Sequence, residues 1–163
     1  MKNGCSDNQI NSKVQEIKEL KKTVFELVNE EINIIYVMID KRPREKFFVS
    51  KENHLHNPTL GTIINEQSNE KRSSFFLIPK NCQKSSVNPV HYQIIYNDSS
   101  LPLRSIQELL YTASFNYMNY CGASQVPAPL RYAEKLADMA SQHLKKPLEK
   151  EGLNKHLFYI WSK

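Results

Sequence analysis

The stretch Val-Pro-Ala-Pro-Leu-Arg-Tyr-Ala-Glu-Lys-Leu-Ala, residues 126–137, decides how the rest of this chain is interpreted. Pro127 and Pro129 fix two backbone φ angles, so the chain arrives extended and a helix begins only here. Pro129 suits the first helical turn, where a backbone N–H has no intrahelical partner. The apolar residues that follow recur at helical spacing and predict an inward face made of Leu130, Ala133, Ala137, Ala140 and Leu144.

Glu134 interrupts this apolar face with a carboxylate. It lies four residues after Leu130 and three before Ala137, so the same periodicity turns it toward the packed side. A carboxylate in that position is paired with a cation, exposed at the rim of the helix, or part of a functional site. A rim position is the commonest of the three for a lone acidic residue, and the pattern alone leaves all three open.

The composition indicates one soluble domain or a part of one. The chain has 163 residues, of which 40% are hydrophobic and 24% charged, as in ordinary globular proteins. The longest apolar run, residues 34–39, is too short to span a bilayer, and the N-terminus lacks the apolar core of a signal peptide. Three scattered cysteines without a CxxC pair favour a reducing setting, so we expect a cytoplasmic or nuclear protein with no membrane partner.

The charge balance favours a polyanionic partner. The formal net charge is +5, from 22 lysines and arginines against 17 acidic residues. Such an excess attracts nucleic acid but does not establish a binding site, because many basic proteins bind nothing in particular. Only four glycines are present, which excludes a glycine-rich phosphate loop.

The order of the predicted elements indicates an α/β protein. An amphipathic helix follows Ser6 or Asp7, and the β-branched run at residues 32–39 predicts a strand covered on both faces. Further strands are predicted at residues 61–64, 75–78 and 91–96, separated by polar loops at residues 50–60 and 81–89. Two helices follow, one from Pro102 to the region of Cys121 and one over residues 126–144.

Residues 126–137 resemble the last helix of the Piwi domain in Argonaute/Piwi proteins, which carries Pro-Ala-Pro and then Tyr-Ala-His. Tyr132 and Ala133 match that pattern, whereas Glu134 stands in place of the family's catalytic histidine. Other blocks keep the family's order and nearly its spacing: Lys41-Arg42 with Phe47-Phe48, Asn57-Pro58 with Gly61-Thr62, Phe75-Phe76-Leu77, and Pro89-Val90-His91-Tyr92 with Tyr96-Asn97-Asp98-Ser99. The resemblance implies an RNase H-like Piwi domain, its C-terminal half only, with a mixed sheet flanked by helices.

The same resemblance implies a degenerate catalytic site. Asn3 stands where the family has a catalytic aspartate, in a segment that resembles Arg-Asp-Gly-Val-Ser-Asp-Gly-Gln. We expect residues 1–163 to form a partial Piwi domain that lacks the leading strands, the MID domain and the PAZ domain. Two-metal cleavage requires several carboxylates around two Mg²⁺ ions, and Asn3 with Glu134 does not supply them. The sequence therefore predicts no catalytic residue, metal site or cofactor, with Mg²⁺ relevant only if Glu134 serves an active enzyme.

The family holds guide-RNA phosphates with basic residues, and the resemblance assigns that role here to Lys41, Arg42, Lys46 and Arg131. Contacts of this kind supply affinity without sequence information. Solvated lysines and arginines on surface turns are the alternative interpretation. The expected partners are a small guide RNA or single-stranded RNA, and possibly a complementary chain that carries Piwi and MID segments.

Three functions remain open at this point. The first is an RNA-binding, Piwi-like protein related to small-RNA-guided gene silencing, without slicer activity. The second is a metal-dependent, RNA-guided endonuclease that uses Glu134 and is completed by a missing N-terminal half. The third is a non-catalytic protein-interaction module that docks through its amphipathic first helix.

Several lesser residues are assigned to structure. His91 belongs to a strand by the resemblance, and His54 with His56 is expected in a polar loop rather than in a metal site. Lys80 and Lys84 are weaker candidates for RNA contacts.

Overall fold

A computed structural model describes residues 7–66, 73–80 and 85–143 of the chain. Its helices and strands, in chain order, are α1 (Asp7–Val28), β1 (Ile35–Asp40), β2 (Val49–Lys51), β3 (His54–His56), β4 (Ile63–Asn65), β5 (Ser74–Leu77), β6 (Val90–Asn97), α2 (Leu103–Ala113) and α3 (Ala128–His143). The α/β class predicted from the sequence is confirmed.

Four strands form the main sheet, in the order β1-β6-β5-β4, and each neighbouring pair runs antiparallel. The long strand β6 lies beside β1, with Ile35 opposite Asn97 and Asp40 opposite His91. The C-terminal end of β1 therefore lies beside the N-terminal end of β6. We call this end of the paired strands the β1 end of the sheet.

Two details of the predicted sheet differ from the structure. The described strands pair only in the antiparallel direction, whereas we predicted a mixed sheet. Strand β1 is half-buried along its whole length, and within the described residues it pairs only with β6, whereas we predicted a strand covered on both faces. An apolar, β-branched composition indicates a strand but does not determine how many neighbours cover it.

The predicted polar loop at residues 50–60 contains a small hairpin, β2 with β3. Its two-residue turn, Glu52 and Asn53, has positive φ angles of 49° and 62°, as tight hairpins require. The turn contains no glycine, so it lacks the residue that most often signals such a hairpin in a sequence. His54 and His56 lie on the exposed strand β3 rather than in a loop.

The core joins the middle of the sheet to the stretch that opens α3. Five residues form its buried centre: Phe75, Leu77, Val90, Tyr92 and Val126. The rings of Phe75 and Tyr92 stack across β5 and β6, with centroids 5.1 Å apart and planes within 3°. Because Val126 belongs to this cluster, the segment that precedes α3 is fixed to the sheet.

Helix α2 ends earlier than the sequence predicted, at Ala113. The backbone N–H of Ser124 donates a 2.8 Å hydrogen bond to the carbonyl oxygen of Ser114, and Ser124 Oγ donates to the same oxygen at 3.0 Å. The chain between these two serines therefore forms a closed loop instead of further helix. Tyr117, which lies within the predicted range of the helix, belongs to this loop instead.

Helix α3 starts where the two prolines predicted, because the N–H groups of Leu130 and Arg131 both donate to the carbonyl oxygen of Pro127. The predicted inward face is wrong in part, since Ala133 and Ala137 are exposed. The face that packs inward instead carries larger side chains, and its half-buried residues include Leu130, Glu134 and Met139. The side chain of Ala140, and Leu144, lie outside the described residues. No described helix is long and apolar enough to cross a membrane.

Candidate nucleic-acid interface

Lys41 follows directly after β1 and is held from two directions. Its carbonyl oxygen accepts a 2.9 Å hydrogen bond from Nε2 of Gln125, just ahead of α3. Its ammonium group forms an ion pair with Oε1 of Glu134 on α3 itself. The two partners of this ion pair are 93 positions apart in the chain, so only the fold brings them together.

Arg131 approaches the same carboxylate from within α3. Its Nη1 lies 3.4 Å from Oε2 of Glu134, and its guanidinium carbon lies 5.5 Å from the centre of the Tyr117 ring. Tyr117 packs in turn on Tyr132, with ring centroids 5.1 Å apart. The hydroxyl of Tyr132 accepts a 2.9 Å hydrogen bond from the N–H of Met118. The loop after α2 thus supplies an aromatic support for the guanidinium of Arg131.

Glu134 is therefore a paired carboxylate, which is one of the three interpretations that the sequence left open. Each of its two oxygens contacts a different cation, and 28% of its side chain remains exposed. Lys41 and Arg131 keep 37% and 46% of their side-chain exposure. Both cations are therefore partly accessible to solvent.

Both cations and carboxylates lie close to Lys41. Burial, and then the positive charges of Arg131 and Arg42, lower the pKa of Lys41, while Asp138 acts in the opposite direction. The ion pair with Glu134 favours the charged form of Lys41, but the lowered pKa shows that burial and the neighbouring cations prevail. Cations this close to one another attract an anion, and Glu134 is the carboxylate that Lys41 and Arg131 both contact.

Arg42 and Lys46 extend the charge along the β1 end of the sheet. Arg42 is exposed, and its backbone N–H donates a 2.9 Å hydrogen bond to Oδ1 of Asp40. Lys46 is also exposed, and its ammonium group contacts Oδ1 of Asn88, two residues before β6 begins. The four predicted cations therefore lie at one end of the sheet: Lys41 and Arg131 contact Glu134, Arg42 acts on Lys41 through its charge, and Lys46 contacts Asn88.

The other predicted residues are placed as follows. His91 stacks on Phe76, with ring centroids 4.6 Å apart, and its Nε2 lies 3.3 Å from Oε2 of Glu66. Lys80 is exposed, and Asn3 and Lys84 lie outside the described residues. Sequence reasoning missed Gln125 and the supporting role of Tyr117, because neither residue carries a charge or a motif that signals a site.

The described residues do not form a metal-binding cluster: among them, no three His, Cys, Asp or Glu side chains are grouped to hold an ion. Glu134 already contacts two cations, and Mg²⁺ prefers several anionic oxygens around it. This part of the chain therefore does not fit the two-metal arrangement that phosphodiester cleavage uses.

Comparison with known sequences gives a consistent family. The profile described as "Piwi domain" matches residues 1–145. Protein argonaute-3 of Drosophila melanogaster is 32% identical over 83% of this chain, and human Piwi-like protein 3 is 28% identical over 98% of it. These matches cover 16% and 18% of the two relatives, so the chain spans less than a fifth of their length.

Solved structures give the same fold. The crystal structure of Drosophila Piwi matches 82% of this chain and 18% of that protein, with a TM-score of 0.72 and 27% identity. The structure of Kluyveromyces polysporus Argonaute with a guide RNA matches 85% of this chain and 19% of that protein, with a TM-score of 0.70 and 20% identity. The fold is the RNase H-like fold of these Piwi domains, and the chain belongs to the Piwi domain family.

Proposed function

We propose that this chain binds the phosphate backbone of small guide RNA or single-stranded RNA in small-RNA-guided gene silencing, and that it does not cut RNA. The observation that carries the proposal is the convergence of Lys41 and Arg131 on one point, with Arg42 beside them. The fold joins residues far apart in the chain into one group of accessible cations. We call Lys41, Arg42, Lys46 and Arg131 the cationic surface.

The chemistry of this surface suits phosphates better than bases. Guanidinium and ammonium groups donate to phosphate oxygens and fix the position of a strand without reading its sequence. Any choice of sequence then comes from base pairing to a second strand. The relatives support this class of ligand, because Kluyveromyces polysporus Argonaute is solved with a guide RNA and Clostridium butyricum Argonaute with a guide DNA and a target DNA.

The proposal that RNA is not cut rests on Glu134. A slicer that used this carboxylate would need further carboxylates beside it to hold two Mg²⁺ ions. Among the described residues, no three His, Cys, Asp or Glu side chains are grouped to do so. We expect the chain to act in the cytoplasm or nucleus, together with a complementary chain that carries Piwi and MID segments.

A second candidate, a protein-interaction module, is favoured by one feature of α1. Its side chains Leu20, Phe25 and Leu27 are 56%, 46% and 80% exposed, although the helix carries an inward residue, Ile17, that is buried. Exposed apolar residues on one helix are a common feature of docking faces. This candidate concerns a different surface and is compatible with RNA binding at the cationic surface.

The experiment that tests the proposal is the salt dependence of RNA affinity. Affinity for a labelled single-stranded RNA should fall as salt rises, with log K dropping by about 0.7 to 0.9 for each phosphate neutralised. The variant Lys41→Ala/Arg42→Ala should bind more weakly and lower that slope by about 1.4 to 1.8. Its sequence preference should not change, because backbone contacts carry no sequence information.

The matched control is Lys18→Ala/Lys22→Ala on α1, which removes the same two charges from exposed positions elsewhere. It should keep the slope and affinity of the unmodified chain. Equal losses of RNA affinity in the two double variants would mean that the overall net charge of +5 attracts RNA without a particular site. The proposed site would then be wrong.

A further inference from the structure

The carboxylate of Glu134 lies where a phosphate bound between Lys41 and Arg131 would lie. We infer that Glu134 is an internal competitor of RNA phosphate, which holds these two cations in the absence of RNA and sets the affinity of the site. The inference rests on the proposed function, since it describes how the same surface is regulated. It gives a role to the residue that departs most from the pattern of the last Piwi helix.

The geometry supports a substitution of one anion for another. The two oxygens of Glu134 are divided between an ammonium group and a guanidinium group, as two oxygens of a phosphate can be. Tyr117 holds the guanidinium of Arg131 from the side, with 5.5 Å between the guanidinium carbon and the ring centre. The cations are therefore already arranged for an anion, and Glu134 is the anion that is present.

The charges around Lys41 nearly cancel. Lys41, Arg42 and Arg131 are opposed by Glu134 and Asp138, and by Asp40, which accepts a hydrogen bond from the backbone of Arg42. Three positive charges thus stand beside three carboxylates. Among those carboxylates, Glu134 is the one whose oxygens touch two of the cations, so it opposes phosphate binding most directly.

Displacement of Glu134 is feasible because its ion pairs are partly exposed. Ion pairs open to solvent are weak, and the side chain of Glu134 keeps 28% of its exposure. A strand of RNA offers several phosphates at once and releases counterions when it binds. An RNA strand can therefore take over the two cations, but its affinity is reduced by the contacts that Glu134 loses.

Neutralising Glu134 should consequently strengthen RNA binding. In Glu134→Gln the side chain keeps its shape and one carbonyl oxygen, while its negative charge is removed. We expect affinity for a labelled polyuridine strand at low salt to rise about 1.5- to fivefold, a change typical of one exposed ion pair. The salt slope should stay close to that of the unmodified chain, because RNA phosphates contact the same two cations in both complexes.

The control for charge alone is Glu108→Gln. Glu108 pairs with Arg104 at 3.0 Å on the exposed face of α2, so this variant also neutralises a carboxylate in an ion pair and also raises the net charge by one. Arg104 lies in the first turn of α2, which follows the C-terminal end of β6. That end of β6 pairs with Ile35 and is opposite to the β1 end of the sheet. Glu108→Gln should leave affinity and slope close to those of the unmodified chain.

A third variant shows whether the gain arises at this site. Adding Lys41→Ala and Arg131→Ala to Glu134→Gln should abolish the gain, because the released cations are no longer there. If Glu134→Gln unfolds, as judged by its circular dichroism melt, Glu134→Asp serves instead. It keeps the charge on a shorter side chain, and should bind RNA more tightly than the unmodified chain by a smaller factor.

The outcomes separate this inference from the proposed function. Tighter binding by Glu134→Gln than by Glu108→Gln supports both. If the unmodified chain binds RNA and the two variants Glu134→Gln and Glu108→Gln change its affinity equally, the inference is wrong and the proposed function stands. No salt-dependent binding by any of these variants would overturn the proposed function, and the inference with it.

Discussion

Lys21 of α1 and Asp98, the residue after β6, form an ion pair of 2.6 Å that ties the first helix to the end of the central strand. The other oxygen of Asp98 accepts a hydrogen bond of 2.5 Å from the backbone N–H of Ile34, just before β1. One carboxylate therefore joins α1, β1 and β6 at the end of the sheet opposite the cationic surface.

This arrangement predicts a specific pH dependence of stability. The hydrogen bond from Lys21, and then that from Ile34, hold the pKa of Asp98 below its ordinary value of 3.8. A carboxyl with a lowered pKa contributes stability that is complete above that ordinary value and is lost as pH falls through the lowered pKa. Asp98→Asn should thus lower the free energy of unfolding at neutral pH, and the difference should vanish in acid.

Urea unfolding at a series of pH values measures this difference. Glu16→Gln is the control, because Glu16 pairs with Lys13 at 2.6 Å within α1 and is 64% exposed. That variant should follow the curve of the unmodified chain. A constant difference between Asp98→Asn and the unmodified chain, from neutral pH into acid, would show that the loss is not linked to the charge of Asp98.

Gly61 should tolerate no side chain. Its φ angle is +75°, its N–H donates a 2.9 Å hydrogen bond to the carbonyl oxygen of Ile78, and an added Cβ would lie 3.1 Å from the ring of Tyr111. Gly61→Ala should lower the free energy of unfolding by about 1 to 3 kcal/mol, because alanine rarely adopts this backbone conformation.

Gly122→Ala provides the comparison. Its added Cβ would also meet a ring, that of Tyr120 at 3.2 Å, but the backbone there is not left-handed and Tyr120 is 53% exposed. Thermal melts of the two variants should differ, with Gly61→Ala the less stable. Equal melting temperatures would mean that side-chain crowding alone determines the effect at Gly61.

Removing the hydroxyl group of Tyr92 and that of Tyr132 should change the free energy of unfolding in opposite directions. The hydroxyl of Tyr92 is buried and has no hydrogen-bond partner among the described residues, and burial raises its pKa. Tyr92→Phe should raise the free energy of unfolding by about 1 kcal/mol, since a buried polar group without a partner is unfavourable. Tyr132→Phe should lower it by about 1 kcal/mol, because it removes the acceptor of the Met118 N–H.

Chemical denaturation of both variants checks this contrast. The stacking of Tyr92 on Phe75 is preserved in Tyr92→Phe, so packing is not disturbed. A loss of stability in Tyr92→Phe as large as that in Tyr132→Phe would mean that the Tyr92 hydroxyl is hydrogen-bonded in solution.

No RNA cleavage is expected from this chain. Incubated with a guide RNA, a matched target RNA and Mg²⁺ or Mn²⁺, it should give no product cut opposite the guide, because among the described residues no three His, Cys, Asp or Glu side chains are grouped around Glu134 to hold two metal ions. Glu134→Ala should behave in the same way when products are resolved on a denaturing gel. A site-specific product that disappears in Glu134→Ala would identify Glu134 as part of an active slicer.

The sequence predicted the fold more completely than the site. Pro127 and Pro129 at the start of α3 and the periodic apolar residues of α1 are local signals, so the sequence predicts the start of α3 and the position of α1 closely. The end of α2 was not found, because Ser114 is tied to Ser124 by hydrogen bonds that depend on the chain folding back. The number of strands that pair with β1, and the direction in which they run, likewise depend on other segments of the chain. Residues 32–39 alone do not specify them.

In the candidate site, too, local sequence signals can be read from the chain, whereas contacts between distant residues cannot. The resemblance predicts that Lys41 and Arg131 contact phosphates, and it shows that Glu134 departs from the pattern of the last Piwi helix. The ion pair between Lys41 and Glu134 depends on an approach between β1 and α3 that spacing along the chain does not reveal. The alanine positions of α3 misled the prediction of its packed face, since alanine is compatible with both a buried and an exposed helix surface.

The most direct test of the central claim is to find where RNA touches the chain. A single-stranded RNA containing photoreactive uridines is crosslinked to the protein, and the modified peptides are identified by mass spectrometry. The cationic surface predicts adducts near Lys41 and Arg131, including the exposed loop that carries Tyr117, and their loss in Lys41→Ala/Arg42→Ala. Adducts confined to α1 around Lys18 and Lys22, unchanged in that variant, would contradict the account.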